Sequence, residues 1–209
     1  MRRADLEHIL RAVRDVAQRP AFLVIGSQSV LGTWTEAELP PEATMSAEVD
    51  LAPITELDRS RLAEEVRSVL AQIYPEHRDV GVDPQTISDN LDAIGEFSTF
   101  HETFDIYVQG VGFETATLPD GWESRLVVLS NDDTGYAVGL CLDPLDACCA
   151  KLVAGREQDY LFVAALIEHG LVRADELVRR AELLPSTAGR APMAQSWARA
   201  QAAQAGGHA

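Results

Sequence analysis

A chain of 209 residues, 46% apolar and 24% charged, can build one substantial core, or a catalytic core with a helical subdomain against it, and its composition excludes wholesale disorder. The formal net charge of −16 excludes a surface that grips nucleic acid along its whole extent, because phosphates would be repelled at long range. It leaves room for a local basic site, for a basic partner, or for a carboxylate cluster that gathers divalent cations.

Leu6, Ile9, Leu10, Val13 and Val16 recur at helical spacing, so an amphipathic helix is predicted over residues 5–18, stopped by Pro20. Residues 21–25 are a continuous apolar run ending in Gly26-Ser27, the pattern of a buried strand entering a tight turn. A second helix is expected over 27–31, and the aperiodic stretch 32–45, with Pro40-Pro41, reads as a loop. Residues 46–52 read as a strand closed by Pro53. Residues 58–74 read as a helix with Leu62, Val66, Val69, Leu70 and Ile73 on one face, ended by Pro75.

The segment 76–95 is polar and turn-rich, whereas 100–111, 123–130 and 135–142 hold β-favouring residues, so two to four partly antiparallel strands are expected here. From residue 143 the pattern turns helical: Asp143 can cap, Pro144 suits the first turn, and Gly155 interrupts the stripe. It resumes through Leu161, Phe162, Ala165 and Leu166 to a C-terminal cap at His169-Gly170, and a further helix is predicted over 174–184. Beyond Pro185 the tail is rich in Ala, Gln and Gly, with no core stripe apart from Trp197, and reads as a loosely held helix with a frayed end. The order predicts an α/β (α+β) protein, with a mixed β-sheet core flanked by helices over 1–142 and a C-terminal helical region, 143–209, packed on it.

No window approaches the roughly 20 apolar residues that cross a bilayer, and the first residues lack the apolar run of an export signal. The three cysteines, Cys141, Cys148 and Cys149, are odd in number and include an adjacent pair. No membrane partner is therefore expected, and a reducing cytoplasm is the expected setting.

Three features carry chemistry. Gly26-Ser27-Gln28-Ser29 lies at a strand-to-helix junction, where glycine lets a ligand approach the backbone and exposed amides can bind phosphate oxygens. In Glu48-Val49-Asp50-Leu51 the strand period of two turns both carboxylates to one face. Such a pair suits magnesium, which takes one or two carboxylates together with substrate phosphates. Finally, of 17 basic residues all but Lys151 are arginine. A compact ammonium kept at one place in an arginine-biased chain suits a tight phosphate pocket better than a broad guanidinium.

A Gly-Ser turn after the first strand, followed by an acid-x-acid strand, resembles the nucleotidyltransferase superfamily. The resemblance implies a nucleotidyltransferase-like fold, with Gly26, Ser27 and Ser29 holding the triphosphate and Glu48 and Asp50 holding Mg2+ or Mn2+. Two departures stand out: the first acid is glutamate rather than the commoner aspartate, and the segment between turn and acids is longer than usual. Cys141-Leu142-Asp143-Pro144-Leu145-Asp146, followed by Lys151, Arg156 and Asp159, is similar to a stretch of AbiEii-type and MenT-type toxin nucleotidyltransferases. That likeness implies that Lys151 contacts nucleotide phosphate with Arg156 nearby, and that Asp159 is a second polar anchor or proton acceptor.

A third metal-side carboxylate is usual in active members, and Asp105 in Phe104-Asp105-Ile106 is the candidate; its neighbour His101 could carry a proton or donate to phosphate, and Glu102 and Asp92 are less specific. The implied reaction is attack by an acceptor hydroxyl on the α-phosphorus of a nucleoside triphosphate, with a tRNA 3′ end as acceptor and an antitoxin as protein partner. Two other readings stay open. One is a catalytically degenerate, nucleotide-binding or protein-interaction member of the fold. The other is an enzyme modifying a small molecule, for which the acidic surface suits a cationic, aminoglycoside-like acceptor.

Overall fold

Helix α1 (Arg3–Ala17) forms where the apolar spacing predicts it, and Leu6, Ile9, Leu10, Val13 and Ala17 make its buried stripe. Gln18 ends it in the left-handed region at φ 55°, which turns the chain into β1 (Ala21–Ile25). All five residues of β1 are buried, as an unbroken apolar run requires of a central strand. The computed structural model describes residues 1–55, 57–74 and 83–206. Pro75, the predicted stop, lies outside the described residues, as do 76–82 of the turn-rich segment and 207–209 of the predicted frayed end.

After β1 the chain makes a 3-10 turn (Ser27–Gly32) rather than an α-helix, then a short helix α2 (Pro41–Thr44) inside the expected loop. Strand β2 (Glu48–Pro53) follows, and the single helix predicted over 58–74 divides into a 3-10 turn (Arg59–Arg61) and α3 (Glu64–Ile73). Asp58 accounts for the division, because its side chain accepts the Ser60 amide and sets up a separate short turn. Helix α4 (Pro84–Asp89), capped by Asp83, and a 3-10 turn (Asn90–Ile94) occupy a stretch whose polarity suggested only turns. The predicted strand over 100–111 is half helix, with α5 (Thr99–Phe104) preceding β3 (Tyr107–Gly110). Strands β4 (Val127–Leu129) and β5 (Val138–Cys141) complete the mixed sheet.

Among the described residues the strands form one five-stranded sheet in the order β3-β2-β1-β5-β4. The central strand β1 runs antiparallel to β2 and parallel to β5, while β3 is parallel to β2 and β4 antiparallel to β5. Helices flank this sheet, giving the mixed α/β architecture expected from the element order.

Helix α6 (Pro144–Ala154) begins as predicted: Asp143 accepts the Leu145 amide at 3.0 Å and Pro144 occupies the first turn. It ends at Gly155, whose φ of 64° is readily reached only without a side chain. Arg190 donates to the terminal carbonyls of Ala154 and Gly155 at 2.9 and 3.2 Å, satisfying acceptors that the helix leaves open. Helix α7 (Glu157–Glu168) then starts in a new direction, followed by α8 (Ala174–Ala181) and α9 (Ala191–Gly206).

The tail is better packed than its composition suggests. Ala191, Ala194 and Ala198 of α9 are buried within the hydrophobic cluster that runs from α1 through the sheet to α8. Small side chains permit close helix approach, so a stripe of alanines packs into the core although it is a weak apolar signal in the sequence. A buried ionic knot ties this region to the sheet side: Asp146 on α6 receives Arg125 through two bonds, at 2.8 and 3.0 Å, and Arg180 from α8 at 2.8 Å.

Candidate active site

Gly26 leaves β1 at φ 76°. A β-carbon at that position would collide with the Asp50 carboxylate, so the missing side chain does two things: it permits the turn, and it lets the acid lie against the backbone. The Ser29 hydroxyl donates to the Gly26 carbonyl at 2.8 Å and closes the turn. On the adjacent strand, the pleat of β2 buries Val49 and Leu51 while Glu48 and Asp50 emerge together on the other face, as their spacing predicts.

The two carboxyls are close enough to hydrogen-bond to each other. Burial, that hydrogen bond and the charge of Glu48 push the Asp50 carboxyl up to about 7, against the smaller downward pull of Lys151 and Arg156. The pair therefore holds a proton near neutrality unless a cation neutralises it.

The break at Gly155 supplies the opposite wall. Lys151 sits in the last turn of α6 and Asp159 in the first turn of α7, and the bend brings the Lys151 ammonium within 3.2 Å of Asp159 Oδ1. Asp159 is fully buried and accepts from Arg156 as well, through the backbone amide at 3.0 Å, Nε at 2.9 Å and Nη2 at 3.2 Å. Burial alone would raise its pKa, but the bonds from Arg156 and the charge of Lys151 hold it below the usual carboxylate range. The Lys151 ammonium also lies 5.8 Å from the centroid of the Phe162 ring, within cation–π range.

One cavity of about 700 Å³ joins these parts, lined by Gly26, Ser27, Glu48, Asp50, Lys151, Arg156 and Asp159 among others. Its volume falls in the range of small-molecule sites, roughly 300–1,000 Å³. Apolar side chains, including Val111, Leu142, Leu161 and Phe162, form part of its wall.

Two residues expected in the site lie elsewhere. Asp105 is exposed and does not line the cavity, because it ends α5 in the left-handed region at φ 56° instead of continuing a strand. Strand β3 starts two residues later, which leaves Asp105 outside the cavity that holds Glu48 and Asp50. Ser29 is fully buried and spends its hydroxyl on the turn, so its part is to shape the Gly26 bend. Asp159 lines the cavity, but its two oxygens are occupied by two cationic side chains. That makes it an anchor for Lys151 and Arg156 and a poor base. His101 accepts the Phe97 amide at 3.0 Å through Nδ1.

Two site residues went unforeseen. Parallel pairing sets Tyr107 beside Glu48 and Gln109 beside Asp50. The Tyr107 hydroxyl donates to Glu48 Oε2 at 2.8 Å, and Gln109 lines the cavity. Their alternation with Asp105 was visible in the sequence, but which neighbours it meets depends on pairing with a strand some 60 residues earlier.

A divalent cation fits the donors present. Glu48 and Asp50 offer hard oxygens whose mutual repulsion already raises the proton affinity of Asp50. Among the described residues no group of three or more His, Cys, Asp or Glu gathers at one point, so the acids offered number two. Magnesium is held by one or two carboxylates where substrate phosphates provide further oxygens.

No protein-family model, curated protein or solved structure matches the chain. Among the described residues no helix is long and apolar enough to cross a membrane.

Proposed function

We propose that the protein is a metal-dependent nucleotidyltransferase that moves a nucleoside monophosphate from a triphosphate to an acceptor hydroxyl. One observation carries this reading: a single cavity of about 700 Å³ is lined by the Gly26-Ser27 turn, the Glu48–Asp50 pair, Lys151 and Arg156, which come from three separated segments of the chain. Acids that would hold a cation thus face an ammonium and a guanidinium that would hold phosphate.

In this reading Glu48 and Asp50 hold Mg2+ or Mn2+, which would supply charge neutralisation to the phosphates and orient the attacking oxygen. Lys151 and the Gly26-Ser27 backbone hold the β and γ phosphates, and Arg156 adds a second cation at the outer edge. Asp159 keeps both cationic side chains in place. The acceptor oxygen bonds to the α-phosphorus, the bond to the bridging oxygen of pyrophosphate breaks, and pyrophosphate leaves. The attacking hydroxyl, made more acidic by the cation that Glu48 and Asp50 would hold, would give its proton to water.

A tRNA 3′ end as acceptor, an antitoxin as partner and a cytoplasmic setting complete the proposal, on the strength of the sequence resemblance. The three described cysteines are free and buried, which accords with a reducing setting. A second reading, nucleotide binding without transfer, draws support from the position of Asp105 outside the cavity, since among the described residues no third acid gathers with Glu48 and Asp50.

Incubation with each labelled triphosphate, magnesium and total tRNA separates the two. Labelled RNA that disappears in Asp50→Ala supports transfer. Saturable nucleotide binding with no labelled product from RNA, protein or an amino-sugar panel supports the second reading, and absence of both refutes each.

A further inference from the structure

Strand β3 runs parallel to β2 with Glu48 opposite Tyr107 and Asp50 opposite Gln109, so both neutral residues stand on the face that carries the acids. The pairing is fixed on both sides: the Tyr107 amide donates to the Ala47 carbonyl at 3.0 Å, and the Val111 amide to the Leu51 carbonyl at 2.9 Å. At the first pair, the Tyr107 hydroxyl donates to Glu48 Oε2 at 2.8 Å.

The tyrosine ring is itself supported. Its centroid lies 4.7 Å from the His101 ring, and His101 Nδ1 is fixed by the Phe97 amide at 3.0 Å. A glutamate has one more rotatable bond than an aspartate, and a fixed donor on one oxygen restores the definition that the longer arm loses. At the second pair, Gln109 lines the cavity beside Asp50 and carries an amide oxygen, a hard ligand without charge.

We propose that β3 completes a site for one divalent cation, with Gln109 supplying a third, neutral oxygen beside Glu48 and Asp50, and Tyr107 acting as the positioning residue that aims Glu48. Two carboxylates match the charge of one divalent ion, whereas a third acid would leave a surplus negative charge able to draw a second. The inference rests on the proposed function only in taking the acid pair as a cation site.

The test is titration of the full-length protein with Mn2+ alone, without nucleotide, following the free-ion electron paramagnetic resonance signal. Wild type should bind one Mn2+, and Glu48→Ala should abolish that binding. Tyr107→Phe, which keeps the ring against His101, and Gln109→Leu should each weaken it by about 10-fold or more, as loss of a ligand or of its orienting partner does. Gln109→Glu should tighten it.

Circular dichroism confirms that each variant is folded. Unchanged affinity in Tyr107→Phe or in Gln109→Leu overturns the role given to that residue. Failure of wild type to bind Mn2+, or binding that survives in Glu48→Ala, overturns the site. A wild type that binds Mn2+ here but transfers no nucleotide would sink the transferase reading and leave this one standing.

Discussion

Replacing Asp50 with asparagine should make the protein more stable at pH 8 and leave it nearly unchanged at pH 4. In the folded protein the Asp50 carboxyl is pushed from its ordinary 3.8 up to about 7. An acid whose proton is held more tightly in the folded state contributes stability that is complete below pH 4 and is lost as pH rises through 7. A shift of about three pH units corresponds to about 4 kcal/mol at 1.36 kcal/mol per unit. The cavity opens to solvent, which screens the repulsion, so about half of that, some 2 kcal/mol, is expected above pH 8. For a chain of this size the gain corresponds to roughly 4–8 °C in Tm.

Thermal melts of wild type and Asp50→Asn at pH 4, 6 and 8 measure it. Millimolar magnesium should recover much of the difference in wild type at pH 8 and do little for the variant, because a ligand stabilises only the state that binds it. Melting curves that stay parallel across this pH range would refute the reasoning, since they would mean that Glu48 and Asp50 do not crowd each other.

Gly26→Ala should cost stability by about 1–3 kcal/mol and abolish Mn2+ binding, because the new β-carbon meets both a left-handed backbone and the Asp50 carboxylate; urea unfolding and metal titration read the two effects. Lys151→Arg should weaken triphosphate binding by about 10-fold in calorimetry while leaving Mn2+ binding intact, since the broader guanidinium replaces a point charge in a side-chain site only 16% exposed. Asp105→Ala should leave nucleotide binding, Mn2+ binding and any transfer unchanged, and a loss in any of them would return Asp105 to the site.

What could be read without the fold is what short-range rules decide. The apolar run 21–25 had to be a buried strand, the alternation of Glu48 and Asp50 had to share a face, and Asp143-Pro144 with Gly155 had to bracket a helix. The meeting of Lys151 with Asp159 was only half legible: their spacing was in the sequence, but whether Gly155 bent the chain towards the acids or away from them was settled by packing.

Asp105 misled because β-favouring neighbours concealed a capped helix, Ser98 accepting the His101 amide at its start and Asp105 itself closing it. Tyr107 and Gln109 carry no charge, so nothing marked them until their strand was paired with β2. Helix α9 was undervalued because burial of alanines leaves a weak periodic signal, although Ala194 and Ala198 are fully buried. Nothing in the local spacing of α6 signals that Asp146 is buried, because Arg125 and Arg180, which converge on it, are distant in sequence.

The most direct measurement is a crystal structure with Mn2+ and a non-hydrolysable nucleoside triphosphate, located by anomalous scattering. The account predicts a manganese peak between the Glu48 and Asp50 carboxylates, with the terminal phosphates at the Lys151 ammonium. Manganese bound elsewhere, or a nucleotide lying outside the cavity between the Gly26 turn and the α6–α7 bend, would contradict it.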